Sequence, residues 1–357
     1  MKKTVFIGVS LGDVATSTSD YFINIADEFV SQDYQVVLFT DKQRKDLVCR
    51  EGDVHILTWP SRRPTSFVDA MFFMKEIKHY KPSVLIANFG SVNMMTTMGF
   101  LLRIPIRLAW VRTLSTQLET PSLVKKLRKK MVYKFATGII ANSKVMKDDV
   151  VNNYHIAKEK VKVFPNAVTM YKQKNIVKNP NKLVYIGRLH KTKGVDILIK
   201  AFDEVVKMYA NLHLDIIGSG EEREFLDSLV KELKLETNIS FLGSVSKEKV
   251  LEHFQEATIA IVPSRSEAFG YVVIEAMSVK TAVIGSRVGG IKEIITDKKD
   301  GLLFESENFQ ELALHIKKLI ENPQYCEEIA LKGYETIQER YDSKKIAINF
   351  VNFVGKL

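Results

Sequence analysis

The sequence has little of what would place it in several protein classes. Of its 357 residues only two are cysteine, Cys49 and Cys326. Two thiols so far apart build neither a disulfide scaffold nor a cysteine-based zinc site, so a reducing cytosol is the expected setting. Glycine (18) and proline (9) are too scarce for a collagen-like or low-complexity chain. No apolar run reaches the roughly 20 residues of a bilayer span; the best stretch, 98–111, is broken by Arg103 and Arg107. Behind Met1-Lys2-Lys3 the apolar run covers only Val5–Val9, with no small-residue cleavage site after it. It reads as a first strand rather than a leader. Clustered carboxylates or histidines are missing too, so no metal or other cofactor is expected.

What is present is the mix of an ordinary globular protein, 46% hydrophobic and 26% charged, which excludes a disordered chain. The length suits two domains at about 100–200 residues each. The net charge of +10 is unevenly placed. Residues 1–170 hold 25 Lys+Arg against 15 Asp+Glu, and the rest of the chain is balanced. The first half is therefore expected to face something anionic. No nucleic-acid-binding motif accompanies the charge, so nucleic acid is not the expected partner.

Short apolar runs without polar alternation alternate with helical stretches, the pattern of βαβ units building parallel sheets buried on both faces. The rhythm starts at residue 4, ends near Pro165-Asn166, and restarts at Lys182. The expected fold is α/β, with two doubly wound Rossmann-like domains facing across a cleft. The first would span 1–168, a linker 169–181, and the second 182–335. A last helix within 336–357 carries Ile346, Phe350, Phe353 and Val354 at helical spacing, and is expected to pack back on the first domain. Ligands of such sheets bind where loops leave the carboxyl ends of strands.

Four strand exits carry chemistry. Gly187-Arg188-Leu189-His190-Lys191-Thr192-Lys193-Gly194 follows one strand and opens a helix. Free N–H groups, the helix dipole and two cations there suit a diphosphate; the plain alternative is a loop of solvated cations. His190 is a further phosphate donor by position. Glu267-Ala268-Phe269-Gly270-Tyr271 leads into a helix apolar on nearly every face except Glu275. A buried carboxylate needs donors, and sugar or ribose hydroxyls supply them, as would a neighbouring cation. Ile216-Ile217-Gly218-Ser219-Gly220 is a strand ending in a tight turn, where backbone approaches either a ligand or a neighbouring loop. Ser286-Arg287-Val288-Gly289-Gly290 leaves room for something to lie against the backbone.

In this order and combination the motifs resemble the donor-binding domain of the GT-B glycosyltransferases of family GT4, over about residues 182–304. The patterns are G-R-L-x-x-x-K-G, P-S-x-x-E-x-F-G-x-x-x-x-E-A-M and G-G-I-x-E-I. The stretches Ala141-Asn142-Ser143 and Val163–Val168 resemble the close of the family's N-terminal domain. The resemblance implies a retaining, metal-independent transfer from a nucleotide-sugar. Arg188 and Lys193, following Gly187, would hold and stabilise the leaving diphosphate. Glu267 would contact the sugar, Glu275 the ribose, the backbone of Phe269, Gly270 and Tyr271 the distal phosphate, and Gly243 and Ser244 would lie near the base, with Gly218 a further donor-side residue. The chain departs from the family where Gly12 precedes Asp13 instead of a second glycine, where Arg112 stands in the stretch that often holds a histidine, and at Lys280-Thr281-Ala282, where Gly-x-Pro is common. Gly12 is then a donor-side and Arg112 an acceptor-side candidate.

The segment Lys125-Lys126-Leu127-Arg128-Lys129-Lys130 is basic and amphipathic. Five cations in six residues favour an anionic membrane surface over a merely solvated face. The expected protein is thus a cytoplasmic hexosyltransferase, peripheral at the inner face of the plasma membrane. It would move sugar from a nucleotide-sugar, UDP-linked first, to a glycan or lipid-linked acceptor in bacterial-type surface polysaccharide or glycolipid synthesis. Rival readings are a nucleotide-sugar epimerase or hydrolase, which would need no acceptor, and a non-catalytic nucleotide-sugar-binding protein.

Overall fold

The computed structural model describes residues 2–12, 15–42, 53–115, 123–170 and 176–357. Asp13, Cys49 and residues 171–175 of the expected linker lie outside them. The chain divides into two compact units, Met1–Thr169 with Ser343–Leu357, and Met170–Asp342.

In the first unit the described strands are β1 Lys3–Gly8, β2 Tyr34–Thr40, β3 Val54–Thr58, β4 Val84–Ala87, β5 Ile106–Val111, β6 Gly138–Ala141 and β7 Val161–Val163. They pair in parallel in the order β3-β2-β1-β4-β5-β6-β7. Around them lie α1 Ser17–Ser31, α2 Phe67–Tyr80, α3 Val92–Leu101, α4 Leu123–Phe135 and α5 Lys144–Tyr154. The two-residue period of a strand splits the core. Val5 and Ile7 pack with Tyr21, Phe22 and Trp110, while Phe6 between them joins Phe39, Trp59 and Phe73 on the other face. Both faces are covered, which is why these strands read as unbroken apolar runs.

The second unit contains β8 Asn179–Ile186, β9 His213–Ile217, β10 Ile239–Gly243, β11 Ala257–Val262, β12 Ala282–Ser286 and β13 Leu302–Phe304. Their order, β10-β9-β8-β11-β12-β13, repeats the winding of the first sheet. Its helices are α6 Val195–Val206, α7 Arg223–Glu232, α8 Lys247–Glu256, α9 Tyr271–Ser278, α10 Ile291–Ile294, α11 Phe309–Glu321 and α12 Pro323–Arg340. Strand β13 was not expected. It pairs only with β12 and has three residues, too few for a pattern to show.

Helix α12 runs unbroken through residue 335, where the second domain was expected to end; the second unit closes at Asp342. Helix α13, Ser343–Val354, then belongs to the first unit. Its Ala347, Phe350, Val351 and Val354 are buried, with the Phe350 ring 4.9 Å from Trp110. Asn24 Nδ2 donates to Ser343 Oγ at 2.8 Å, and Ser343 N to Val168 O at 3.0 Å, fixing where the helix starts. In each sheet the winding reverses beside the first strand, between β1 and β4 and between β8 and β11. Ligands of doubly wound sheets bind at such reversals.

Candidate functional site

The loop leaving β8 is stitched to its neighbours by backbone. Gly187 N donates to Ile217 O at 2.9 Å and Leu189 N to Ser219 O at 3.0 Å. Leu189 plugs the core, leaving Arg188 exposed. His190 caps the turn Lys191–Lys193: its Nδ1 accepts from Thr192 N at 3.1 Å. The other ring nitrogen, Nε2, lies 3.4 Å from Glu221 Oε1. Nδ1 is thus used within the loop, and Nε2 is the ring nitrogen that faces outward toward Glu221.

The glycines of this region make room for other loops. A Cβ on Gly218, at φ +138°, would stand 1.9 Å from Gly187 O, and one on Gly220 2.0 Å from Leu189 O. The Gly218-Ser219-Gly220 turn therefore packs its backbone against the Gly187–Leu189 loop. A Cβ on Gly289 would lie 1.8 Å from Glu267 O, and one on Gly290 2.3 Å from Phe269 O. What lies against that backbone is the Glu267–Phe269 segment. Gly243, at φ +68°, faces open space and needs glycine for its conformation alone. Ser244 Oγ sits 3.0 Å from Ser219 Oγ.

Lys193 Nζ donates to Glu267 Oε2 at 2.5 Å, so the expected phosphate and sugar ligands meet directly. Tyr185 underlies them. Its Oη donates to Arg188 O at 3.0 Å, and burial pushes its hydroxyl well above the usual tyrosine range, with the Glu267 carboxylate adding to the rise. Arg265, two residues before Glu267, forms a two-pronged pair with Asp196 at 2.7 and 2.8 Å and a second pair with Glu307. Its backbone N donates to Thr192 O at 2.8 Å. Arg265 thereby ties the Glu267 loop to the Lys193 loop. It is a positioning residue that sequence reasoning missed, because its carboxylate partners lie 69 and 42 residues away.

Gly270, at φ +111°, opens α9, with Phe269 buried behind it and Tyr271 half-buried. The helix is less enclosed than expected. Val273, Ile274, Ala276 and Met277 are buried, but Tyr271, Val272 and Glu275 share a half-buried face. Glu275 therefore does not bear the full cost of a buried carboxylate.

The first unit has its own pocket, about 630 Å³, where β1, β2, β3 and β4 end. Gly12, at φ +61°, lines it. So do Arg62 and Arg63, which sequence reasoning passed over; both are exposed, and neither has an ion-pair partner among the described residues. Their loop is tied down by local hydrogen bonds. The buried Asp69 carboxylate accepts from Ser61 N and Oγ, Thr65 N, and Ser66 N and Oγ, at 2.6–3.1 Å. Burial opposes the charge, but these donors outweigh it and hold the carboxyl near a pKa of about 2. The signal was readable in Ser66-x-x-Asp69, a capping box. Asp41, the pocket's one carboxylate among the described residues, accepts from Ser10 Oγ. Asn88 on its wall is 1% exposed and its Nδ2 has no hydrogen-bond partner among the described residues, while Phe89 beside it holds a left-handed φ of 50°. Arg112 is half-buried behind that wall, its guanidinium 5.2 Å from the Phe89 ring and 5.6 Å from Phe22.

On α4, Lys125, Lys126 and Arg128 are exposed and Lys130 half-exposed. Lys129 corrects the expectation of five outward cations. Its Nζ lies 5.5 Å over Tyr154 and 6.0 Å over Tyr133, and burial lowers its pKa. The apolar residues Val124, Leu127 and Met131 are turned outward, at 77%, 71% and 54% exposure. No helix among the described residues is long and apolar enough to cross a membrane.

Two family models match the chain: "Glycosyltransferase Family 4" over residues 19–170, and "Glycosyl transferases group 1" over 169–336. An uncharacterized glycosyltransferase of Haemophilus influenzae is 25% identical over 97% of this chain and 98% of its own length. A capsular polysaccharide biosynthesis glycosyltransferase of Staphylococcus aureus, CapM, is 26% identical over 89% of each chain. An uncharacterized glycosyltransferase of Methanocaldococcus jannaschii is 28% identical, but the match spans only 60% of this chain and 58% of that relative. Among solved structures, sucrose-phosphate synthase from Thermosynechococcus elongatus superposes with a TM-score of 0.82 at 19% identity, covering 99% of both chains. Anabaena HepE in complex with UDP gives 0.80 at 19% identity, over 99% of this chain and all of that one. At such identity these structures establish the fold, and the family models the chemistry class. The two models together span residues 19–336, with the Lys193–Glu267 loops inside the second, and the chain is a GT-B glycosyltransferase of the family 4 type.

Proposed function

We propose that the second unit binds a nucleotide-sugar, with UDP favoured, and that the chain passes its sugar, with retained anomeric configuration, to an anionic glycan or lipid-linked acceptor taken by the first unit. The observation that carries this reading is the Lys193–Glu267 pair beside exposed Arg188, at the carboxyl ends of β8 and β11. An ammonium has three donors. One holds Glu267, leaving two for a diphosphate oxygen, while Arg188 offers a planar fork. Glu267 is then positioned for sugar hydroxyls, and the half-buried Glu275 for ribose. The opening turn of α9 adds free N–H groups and its dipole at the distal phosphate. In the transfer the bond from the anomeric carbon to phosphate oxygen breaks, and a bond to the acceptor oxygen forms on the same face. The departing phosphate takes the acceptor's proton. The protein supplies position and charge, so no protein base is required.

The acceptor side rests on the first unit's pocket, lined among the described residues by two arginines and one hydroxyl-bound carboxylate. A relative named for capsular polysaccharide and a neighbour solved with UDP agree with such substrates. The outer face of α4 sets Val124, Leu127 and Met131 among four cations, which suits the anionic inner face of a plasma membrane. The test is incubation with UDP-, GDP- and ADP-sugars, with and without a lipid-phosphate-linked glycan, followed by NMR of the product. UDP-sugar consumption that depends on acceptor, giving the donor's anomeric configuration, is expected. Consumption without acceptor would indicate hydrolysis or epimerisation instead.

A further inference from the structure

The second unit has another pocket at the opposite ends of its strands. Its volume is about 310 Å³, at the lower end of small-ligand sites. It lies beneath the start of β8, the start of β11 and the turn before β12, roofed by α11 and the first half of α12. Seven residues separate Pro180 in its wall from Gly187, roughly 23 Å along a strand. The lining is mainly apolar, with Pro180, Leu319, Pro323 and Leu331 among it.

Its charge is unbalanced. Lys178, Lys280 and Glu327 all line it, two ammonium groups against one exposed carboxylate. The Lys178 stem is exposed, but Nζ turns inward to neutral acceptors only: Ala257 O at 3.0 Å, Thr281 Oγ1 at 3.2 Å and Gln255 O at 3.3 Å. Among the described residues it has no carboxylate partner. Burial lowers its pKa to about 8, and the same burial raises that of neighbouring Cys326 to about 11, so the thiol is a neutral part of the wall. Lys280, held at a left-handed φ of 59°, rests its Nζ 5.0 Å over the Tyr334 ring. An ammonium satisfied only by carbonyls and a hydroxyl keeps an uncompensated field, which an anion in the adjoining space would neutralise.

We propose that this pocket is a second ligand site, taking an amphipathic monoanion: a carboxylate facing Lys178 and Lys280, and a short apolar chain along Pro180, Leu319, Pro323 and Leu331. The carboxylate displaces the longest of the Lys178 hydrogen bonds, that to Gln255 O. The site is separate from the donor loops, and binding is independent of nucleotide.

Octanoate is the probe, with octanol as its neutral counterpart, titrated calorimetrically into the full chain with and without saturating UDP. Octanoate is expected to bind at least tenfold more tightly than octanol, in either condition. Leu331→Glu, at the exposed rim, and Lys280→Met should each weaken octanoate at least tenfold while leaving UDP affinity unchanged, the control for folding. Equal affinity for octanol and octanoate would overturn the anion assignment. Competition with UDP, or octanoate binding unchanged in both variants, would place the ligand elsewhere and overturn the site.

Discussion

The two units are wound alike, yet they are built to opposite electrostatic ends. Bounded as the structure bounds them, the first holds 28 Lys+Arg against 15 Asp+Glu, and the second 24 against 27. The second unit's loop cations Lys193 and Arg265 are paired with carboxylates, and Gly218, Gly220, Gly289 and Gly290 press backbone against backbone. Among the described residues, the first unit's pocket shows Arg62 and Arg63 without acid partners and a buried Asn88 amide without an acceptor. A shared topology thus sets where loops emerge, and the loops alone decide what each sheet recognises. A balanced, preorganised site suits one recurrent diphosphate ligand. An unbalanced one suits an acceptor that brings negative charge.

The largest effect should come from the cations of the second unit. Arg188→Ala or Lys193→Ala is expected to lower turnover about 100- to 1000-fold, the cost of losing one preorganised charge contact, or roughly 2.7–4 kcal/mol. Lys193→Ala has a second consequence, since it frees Glu267. Steady-state rates of folded variants check both, and unchanged turnover would remove these residues from the chemistry.

Next is the clamp under Arg62 and Arg63. Asp69→Ala removes the acceptor shared by five part-buried donors and should cost about 2 kcal/mol of stability, read by denaturant unfolding. The sign of the acid response follows from the lowered pKa. A carboxyl held near 2 in the folded state contributes stability that is fully present above its unfolded value and is lost as pH falls from about 4 toward 2. Wild type should lose stability across that window more steeply than Asp69→Asn. Parallel acid curves would show that the donors around Asp69 do not depend on its charge.

The smallest effects belong to α4. Lys125, Lys126, Arg128 and Lys130 should each contribute about 1 kcal/mol to binding of anionic vesicles at low salt. Lys129→Gln should leave binding unchanged, because that side chain is turned toward Tyr133 and Tyr154. Co-sedimentation decides it, and equal losses at Lys129 and Lys126 would mean that helix orientation has no bearing on the surface.

Much of the architecture was legible because fully buried parallel strands leave continuous apolar runs, as at β1 and β11, and because glycine marks the turns after β8 and β9. Strand β13 escaped, since three residues carry no period. The orientation of α4 escaped for another reason. Val124, Leu127 and Met131 form one apolar stripe and Val132, Tyr133 and Ala136 another, and spacing alone does not say which faces inward. At the site, Arg188, Lys193, Glu267 and Glu275 stood out by motif. The occupants of the space at Gly218 and Gly289 did not, because a glycine reads the same whether a phosphate or a carbonyl lies against it. That Arg62 and Arg63 meet no acid among the described residues is a property of three dimensions only.

The central claim is that the donor belongs to the second unit and the acceptor to the first. Calorimetric titration of UDP against wild type, Glu275→Gln, Glu267→Gln and the Arg62→Ala/Arg63→Ala double variant tests it most directly. UDP affinity should fall at least tenfold for Glu275→Gln. It should stay near wild type for Glu267→Gln, which loses transfer, and for the double arginine variant, which loses acceptor saturation. A comparable loss of UDP affinity in the arginine variant, or none in Glu275→Gln, would contradict the division of labour between the units.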